Sequence, residues 1–247
     1  MRFNLVLIAF VFFSFLSLGT ETKYKKGLDE LKKKEFRQAE MFFLEVTQEA
    51  PSFVSFYNLG VVSGELENWA KAKWAFESAL KYNPSNGDAQ YNAKFVSDKL
   101  NGNQNWTHPY PWSERIIVSF GIYTWLTLVL VSATFLGFSI FLFLTKKNEK
   151  TTLVKWTKRL VLPVSLVFLI SFYGTLNYTH HFTAHQFAVF KSDNAKLYIS
   201  PNGIELSDQE VSRDRVEVIE YFEDSTWVQI RTSDNLFWVK TKDLFVY

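Results

Sequence analysis

The sequence predicts a multi-domain membrane protein: an all-α repeat domain, then a two-helix transmembrane hairpin, then a small all-β domain. Three observations carry this. Two long charge-free runs, 116–145 and 160–179, flank a basic segment. Residues 20–105 repeat themselves at a spacing of 33. Residues 187–247 break into short runs of alternating or β-branched and aromatic residues separated by turn formers.

The apolar runs set the topology. A hydrocarbon core of ~30 Å needs ~20 helical residues; the first run has 30 uncharged residues and the second 20. Pro163 stands near the start of the second, where a first helical turn tolerates proline because no intrahelical bond is lost. Between them, the segment 146–159 carries Lys146, Lys147, Lys150, Lys155, Lys158 and Arg159 against Glu149 alone, a net +5. By the positive-inside rule these six residues place the loop in the cytoplasm and residues 20–110 and 185–247 on the far side. Trp106, Tyr110 and Trp112 before the first span, Trp156 in the loop, and Tyr173 and Tyr178 at the end of the second read as interfacial anchors.

The beginning of the chain agrees. Arg2, an apolar run from Leu5 to Leu18 broken by Ser14 and Ser17, and Gly19 form a signal-peptide pattern over residues 1–19. An uncleaved anchor is the alternative, and either one exports the repeat domain.

The repeat domain, 20–105, rests on four positions. Gly27, Ala39, Phe43 and Pro51 recur as Gly60, Ala72, Phe76 and Pro84. A period near 34 with this Gly…Ala…Phe…Pro order resembles tetratricopeptide repeats, in which small residues sit where two helices touch and proline follows the second helix. A third helix from Gly87 to Leu100, ending at Asn101-Gly102, reads as a cap. Two repeats and a cap fall below the ~3 usually needed for stability, so the unit is either marginal or completed by another protein. In such repeats the first helix of each pair lines a concave face. Tyr24, Tyr57 and Tyr91 take equivalent positions there, with Leu28, Val61 and Phe95 one turn on. This stripe suits a partner peptide; the alternative is that the rings only pack against one another. Tyr24, Leu28 and Asp88 stand where the chaperone-tail-binding subgroup has polar or basic carboxylate clamps, which disfavours that ligand.

The all-β domain, 187–247, is expected to hold strands at 216–221, 227–231 and 236–240, an earlier strand at Leu197–Gly203 and a last short strand after Leu244. Ser233-Asp234-Asn235 would turn the last hairpin. The "TWVQI…LFWVK" pattern resembles bacterial SH3-like domains, and that resemblance makes Tyr198, Trp227 and Trp238 candidate ligand contacts. Core burial is the competing reading for Trp227.

Composition removes most catalytic classes. Zero cysteines exclude a thiol nucleophile, a disulfide framework, a Cys-ligated zinc and a lipoprotein anchor. No GxGxxG or GxxxxGK[ST] occurs to cradle phosphates. The 12 Lys/Arg and 12 Asp/Glu of residues 20–105 cancel, and residues 187–247 are net −4, so no folded domain offers the basic face of a nucleic-acid binder. His180, His181 and His185 cluster after the second span, and His181 with His185 has metal-ligand spacing. No acidic partner accompanies them in sequence, and no metal or cofactor is expected. Neither span contains an ionisable residue that would mark a transport path.

The order of parts (signal peptide, two repeats, span, basic loop, span, SH3-like domain) resembles the BatE family of the bacterial aerotolerance operon. That resemblance implies an inner-membrane protein with both flanking domains in the periplasm. Its implied partners are envelope proteins of the same operon, including membrane proteins with von Willebrand A-type domains. It brings no catalytic residues. The expected function is a non-enzymatic adaptor linked to aerotolerance. A cell-wall tether gripping peptidoglycan peptides is the alternative, and a sensor signalling through the cytoplasmic loop ranks last.

Overall fold

The computed structural model describes residues 19–247 except 103–105, 146–151, 185, 202, 204–205, 208–210, 212–214, 223–224 and 233–234. The expected signal peptide up to residue 18, the loop cations Lys146, Lys147 and Lys150, His185, and Ser233 and Asp234 of the expected turn lie outside the described residues. Among the described residues there are eight α-helices and a small antiparallel sheet. They form two compact units, one comprising residues up to 109 and from 186 onward, the other Tyr110–Ala184.

The first unit begins with α1 (19–32), α2 (Phe36–Glu49), α3 (Phe53–Glu65), α4 (Trp69–Tyr82) and α5 (Gly87–Asn101). The period of 33 reappears as repeated geometry. The turn from α1 to α2 places Lys34 at φ 63°, and the turn from α3 to α4 places Glu67 at φ 55°. In each, paired bonds close the helix end: Lys34 N–H to Leu31 O and Glu35 N–H to Glu30 O, then Glu67 N–H to Gly64 O and Asn68 N–H to Ser63 O. This is the 5→2 and 6→1 pattern of a Schellman ending. Ser52, Asn68 and Asn86 cap the next three helices, accepting from the backbone of the third residue on. Gly27 and Gly60 let α1 and α3 approach the rings of Phe43 and Phe76; a Cβ would stand 2.9 and 2.8 Å from them. The core between helices is Ala39, Phe43, Leu59, Val62 and Ala75, with Tyr24 and Leu28 packed against it.

The sheet comes next: β1 (Gln186–Phe190), β2 (Val216–Phe222), β3 (Trp227–Arg231), β4 (Leu236–Lys240) and β5 (Leu244–Val246). Its order is β4-β3-β2-β1-β5, with every pairing antiparallel. Alternation buries Val216 and Val218 of β2, Val228 and Ile230 of β3, and Phe237 and Val239 of β4 in one cluster. The expected strand at 197–203 is instead one residue wide: Tyr198 forms isolated bridges to Leu206 and Trp238. Pro201 lacks a ladder donor and Gly203 takes φ +73°, so the segment turns away. β1 is not among the expected strands, because five residues after a long helix carry little alternation of their own.

Helix α4 packs on β1 and β5. The Trp74 indole stacks on Phe245 (5.1 Å, 20°) and meets Phe56 edge-on (5.6 Å). The sheet thus covers a face of the second helix pair and supplies apolar contact that two repeats alone lack.

In the second unit, α6 (Trp112–Phe120) and α7 (Ile122–Thr145) are separated at Gly121, φ +74°, so the charge-free run 116–145 is not one helix. Trp125 of α7 donates from Nε1 to Ile117 O at 2.8 Å, and its indole lies where a Cβ on Gly174 would fall 2.6 Å away. Helix α8 (Thr152–Ala184) begins eight residues before the expected 160, taking in Lys155, Lys158 and Arg159. Pro163 therefore lies inside the helix and not in its first turn; the shift costs the N–H that would have bonded Arg159 O. Residues Ile122–Thr145 and Val154–Thr183 are each long and apolar enough to cross a membrane.

Candidate functional site

The stripe of six expected contact residues divides in two. Tyr24 and Leu28 pack on the helical core, with Tyr24 tilted against Phe43 at 5.9 Å. The Tyr24 hydroxyl accepts from Asn58 Nδ2 at 3.0 Å, and the Tyr57 hydroxyl accepts from Asn92 Nδ2 at 3.2 Å. These two bonds join each first helix to the next. Tyr57 also stacks on Phe53 and meets Phe76 edge-on. Tyr91 and Phe95 differ: they are 71% and 45% exposed on α5.

Beside them lies a groove of about 420 Å³ between α3 and α5. Gly60 and Phe76 form its floor, Val61 and Phe95 its sides, and Glu65 and Glu67 its acidic rim. Trp69, which sequence reasoning passed over, meets Phe95 edge-on at 6.3 Å, and Lys99 Nζ lies 5.4 Å from the same ring. Its signal was its place directly after the Asn68 cap, where a solvated first turn gains nothing from an indole. The groove is concave, mixed in polarity and acid-rimmed, a shape for a peptide side chain and its flanking backbone.

On the sheet, Trp227 is only 8% exposed. It is enclosed by Tyr198, edge-on at 5.0 Å, by Gly203, where a Cβ would come within 3.1 Å, and by the Lys240 ammonium 5.5 Å from its ring. It belongs to the core, and the three aromatics do not form one exposed face. Trp238 and Tyr198 are half-buried and exchange backbone hydrogen bonds at 2.8 and 2.9 Å; Trp238 meets the exposed Phe222 at 5.8 Å. Tyr221 donates to Gln186 Oε1 at 2.9 Å, and burial pushes its phenol above the ordinary value.

A second centre went unread in the sequence. Glu77 of α4 is fully buried. Trp106 Nε1 donates to its Oε1 at 2.9 Å, the Tyr247 hydroxyl donates to its Oε2, and Arg215 Nη1 stands 3.5 Å from Oε1. Arg215 also lies over the Phe187 ring and reaches Thr107 O. Trp106, expected as a membrane anchor, is thus a donor to a buried carboxylate. The available signal was an acid on the apolar stripe Phe76-Glu77-Leu80, which needs partners to be buried.

In the second unit, His181 is buried and its Nδ1 lies 2.8 Å from Glu114 Oε2, with Tyr110 edge-on at 4.6 Å. The acidic partner missing from the local sequence comes from α6, 67 positions away. Among the described residues no group of three His, Cys, Asp or Glu side chains could hold a metal ion. Of the topology residues, Lys155, Lys158 and Arg159 are exposed on the first turns of α8. No family model, curated protein or solved structure matches this chain.

Proposed function

We propose that this protein is a non-enzymatic membrane adaptor whose helical repeats capture a protein partner outside the cytoplasm. The observation that carries the reading is the exposed Tyr91–Phe95 face beside the acid-rimmed groove. Aromatic side chains left in water by a helix that otherwise packs well mark an interaction surface. The recurrence of the Gly27–Phe43 contact as Gly60–Phe76 supports reading 20–105 as two tetratricopeptide repeats with a cap. The small antiparallel sheet is compatible with an SH3-like domain.

Membrane insertion of α7 and α8 is part of the proposal. Their apolar side chains point outward: Leu130 is 68% exposed and Leu162 81%. Hydroxyls donate back along the same helix, Thr127 to Tyr123 O, Ser132 to Leu128 O, Ser165 to Val161 O and Ser171 to Val167 O. Polar groups satisfied within a helix are what a hydrocarbon phase demands. Trp112, Ile116 and Phe120, spaced by four along α6, are all exposed and would lie in the interface, as amphipathic helices do. The basic segment would face the cytoplasm of a bacterial inner membrane, and both flanking parts the periplasm.

Crosslinked co-purification from native membranes tests the reading. Membrane proteins with von Willebrand A-type domains should be recovered with the parent protein and lost with Tyr91→Ala/Phe95→Ala; undiminished recovery with that variant refutes the groove. These two residues are the right probes because Tyr57→Ala would also break the bond to Asn92. The half-exposed Trp238–Phe222 pair favours one second reading, a cell-wall tether. Co-sedimentation of the detergent-solubilised protein with peptidoglycan, lost in Trp238→Ala, would establish it.

A further inference from the structure

A second groove, of about 490 Å³, lies between α7 and α8 at the end where α8 begins. Leu136, Ile140, Phe143 and Val161 line it. Its hydroxyls add little polarity, because Ser139 donates to Phe135 O at 2.8 Å, Thr157 to Val154 O at 3.0 Å and Ser165 to Val161 O at 2.7 Å. The wall offered to a ligand is therefore apolar. Lys158 completes the lining, its ammonium 6.0 Å from the Phe143 ring.

The first turns of α8 at that end are cationic, and Lys158 alone of their cations is part of the groove's lining. Lys155, Lys158 and Arg159 stand at i, i+3 and i+4 and share one face of α8. Trp156 is exposed beside them, with the Arg159 guanidinium 5.6 Å from its ring. Neither α7 nor α8 contains an Asp or Glu, and no carboxylate among the described residues pairs with these three cations. Three cations near a helix's positive N-terminal end repel one another and the dipole, which an anion would relieve. An apolar slot with Lys158 in its wall and two further cations on the adjoining face of α8 matches one kind of molecule, an anionic head on a hydrocarbon chain.

We infer that this groove seats an anionic phospholipid, with an acyl chain along Ile140, Phe143 and Val161 and its phosphate against Lys158, while Lys155 and Arg159 add positive charge from the adjoining face of α8. The inference rests on the reading of α7 and α8 as membrane spans. Basic pockets between spans on the cytoplasmic side are where anionic head groups bind, and an indole at that depth suits the same boundary.

The full chain purified in detergent should retain phosphatidylglycerol over phosphatidylcholine of matched acyl chains by roughly tenfold or more in native mass spectrometry. Lys155→Gln/Lys158→Gln/Arg159→Gln should bring the ratio to about one. Ile140→Trp, which fills the slot and keeps the charges, should reduce retention of both lipids. Equal retention of the two lipids by the parent protein, or a preference that survives the triple substitution, overturns the inference. Carbonate extraction of native membranes separates the two ideas. A protein that resists extraction yet shows no lipid preference defeats the lipid seat alone; one released without detergent defeats the membrane reading and the seat together.

Discussion

Trp74 Nε1 donates to the Val246 carbonyl oxygen at 3.0 Å, across 172 positions of sequence, while the same indole stacks on Phe245. One side chain of the second repeat thus holds both the backbone and an aromatic ring of the last strand. Trp74→Ala should destabilise this packing by about 3–5 kcal/mol, the usual cost of truncating a large aromatic in a packed site. Trp74→Phe keeps a ring for the stack and loses the hydrogen bond, at about 1 kcal/mol. Hydrogen exchange of the α4 and β5 amides reads both, and the alanine variant should expose both elements together. Loss of protection in β5 alone would show that the helices do not depend on the sheet.

Glu77 makes a different demand on the same helix. Its carboxylate takes a proton donor on each oxygen, Trp106 on Oε1 and Tyr247 on Oε2, with the Arg215 guanidinium close by. Glu77→Gln preserves the shape but turns one acceptor into an amide nitrogen that faces a donor. A cost of about 2–3 kcal/mol is expected, the range for hydrogen bonds to a charged group. The melting temperature should fall further in Glu77→Gln than in Tyr247→Phe, which removes one donor and leaves the carboxylate. Equal effects would mean that the tyrosine bond carries the whole interaction.

These two relationships explain what the sequence could and could not convey. The period of 33 was legible because it is a local property: Gly60 needs Phe76 sixteen positions on, and Gly27 needs Phe43 at the same interval. The long apolar runs were legible because length and absence of charge decide them, yet their ends were not. Gly121 breaks the first run through its backbone conformation, and α8 starts among lysines because those cations can stay exposed on a helix. Contacts such as Trp74–Val246, Glu77–Tyr247 and Glu114–His181 join residues 67 to 172 positions apart. No spacing rule reaches that far. Of the six stripe residues, Tyr24 and Leu28 pack on the core, Tyr57 joins α3 to α5 and Val61 lines the groove, while the end of the stack leaves Tyr91 and Phe95 exposed. Which copy of a repeat stays open depends on its neighbour in the stack, not on the repeat itself.

Two glycines of α3 separate close approach from open space. A Cβ at Gly60 would lie 2.8 Å from the Phe76 ring, whereas one at Gly64 meets nothing within 4 Å. Gly60→Ala should cost about 1–3 kcal/mol by forcing the ring and the helix apart. Gly64→Ala should gain about 0.5–1 kcal/mol by lowering the entropy lost on folding. Opposite shifts in melting temperature from the same chemical change, four residues apart, are the expected result. A loss at both positions would place α3 and its neighbours closer than this packing allows.

The α1–α2 contact carries the clearest pH dependence. Lys23 donates to Glu49 and lies 2.9 Å from Glu45. The hydrogen bond from Lys23, with a smaller contribution from Thr20, holds the Glu49 carboxyl below its ordinary value of 4.5. A group lowered by folding contributes stability that is present above its ordinary value and lost as pH falls through the lowered one. Lys23 is raised above its ordinary 10.5, chiefly by Glu49 and then by Glu45. Its contribution is present below 10.5 and lost as pH rises through the raised value. The window is therefore bounded by the loss of the carboxylate on one side and of the ammonium on the other. Glu49→Gln should lower the melting temperature by a constant small amount inside that window, with the gap to the parent protein closing in acid. Because both groups face solvent, high salt should shrink the gap at every pH. A gap that persists unchanged in acid would show that the glutamate acts through a hydrogen bond that does not need its charge, such as the one it accepts from Thr20, and not through the ion pair.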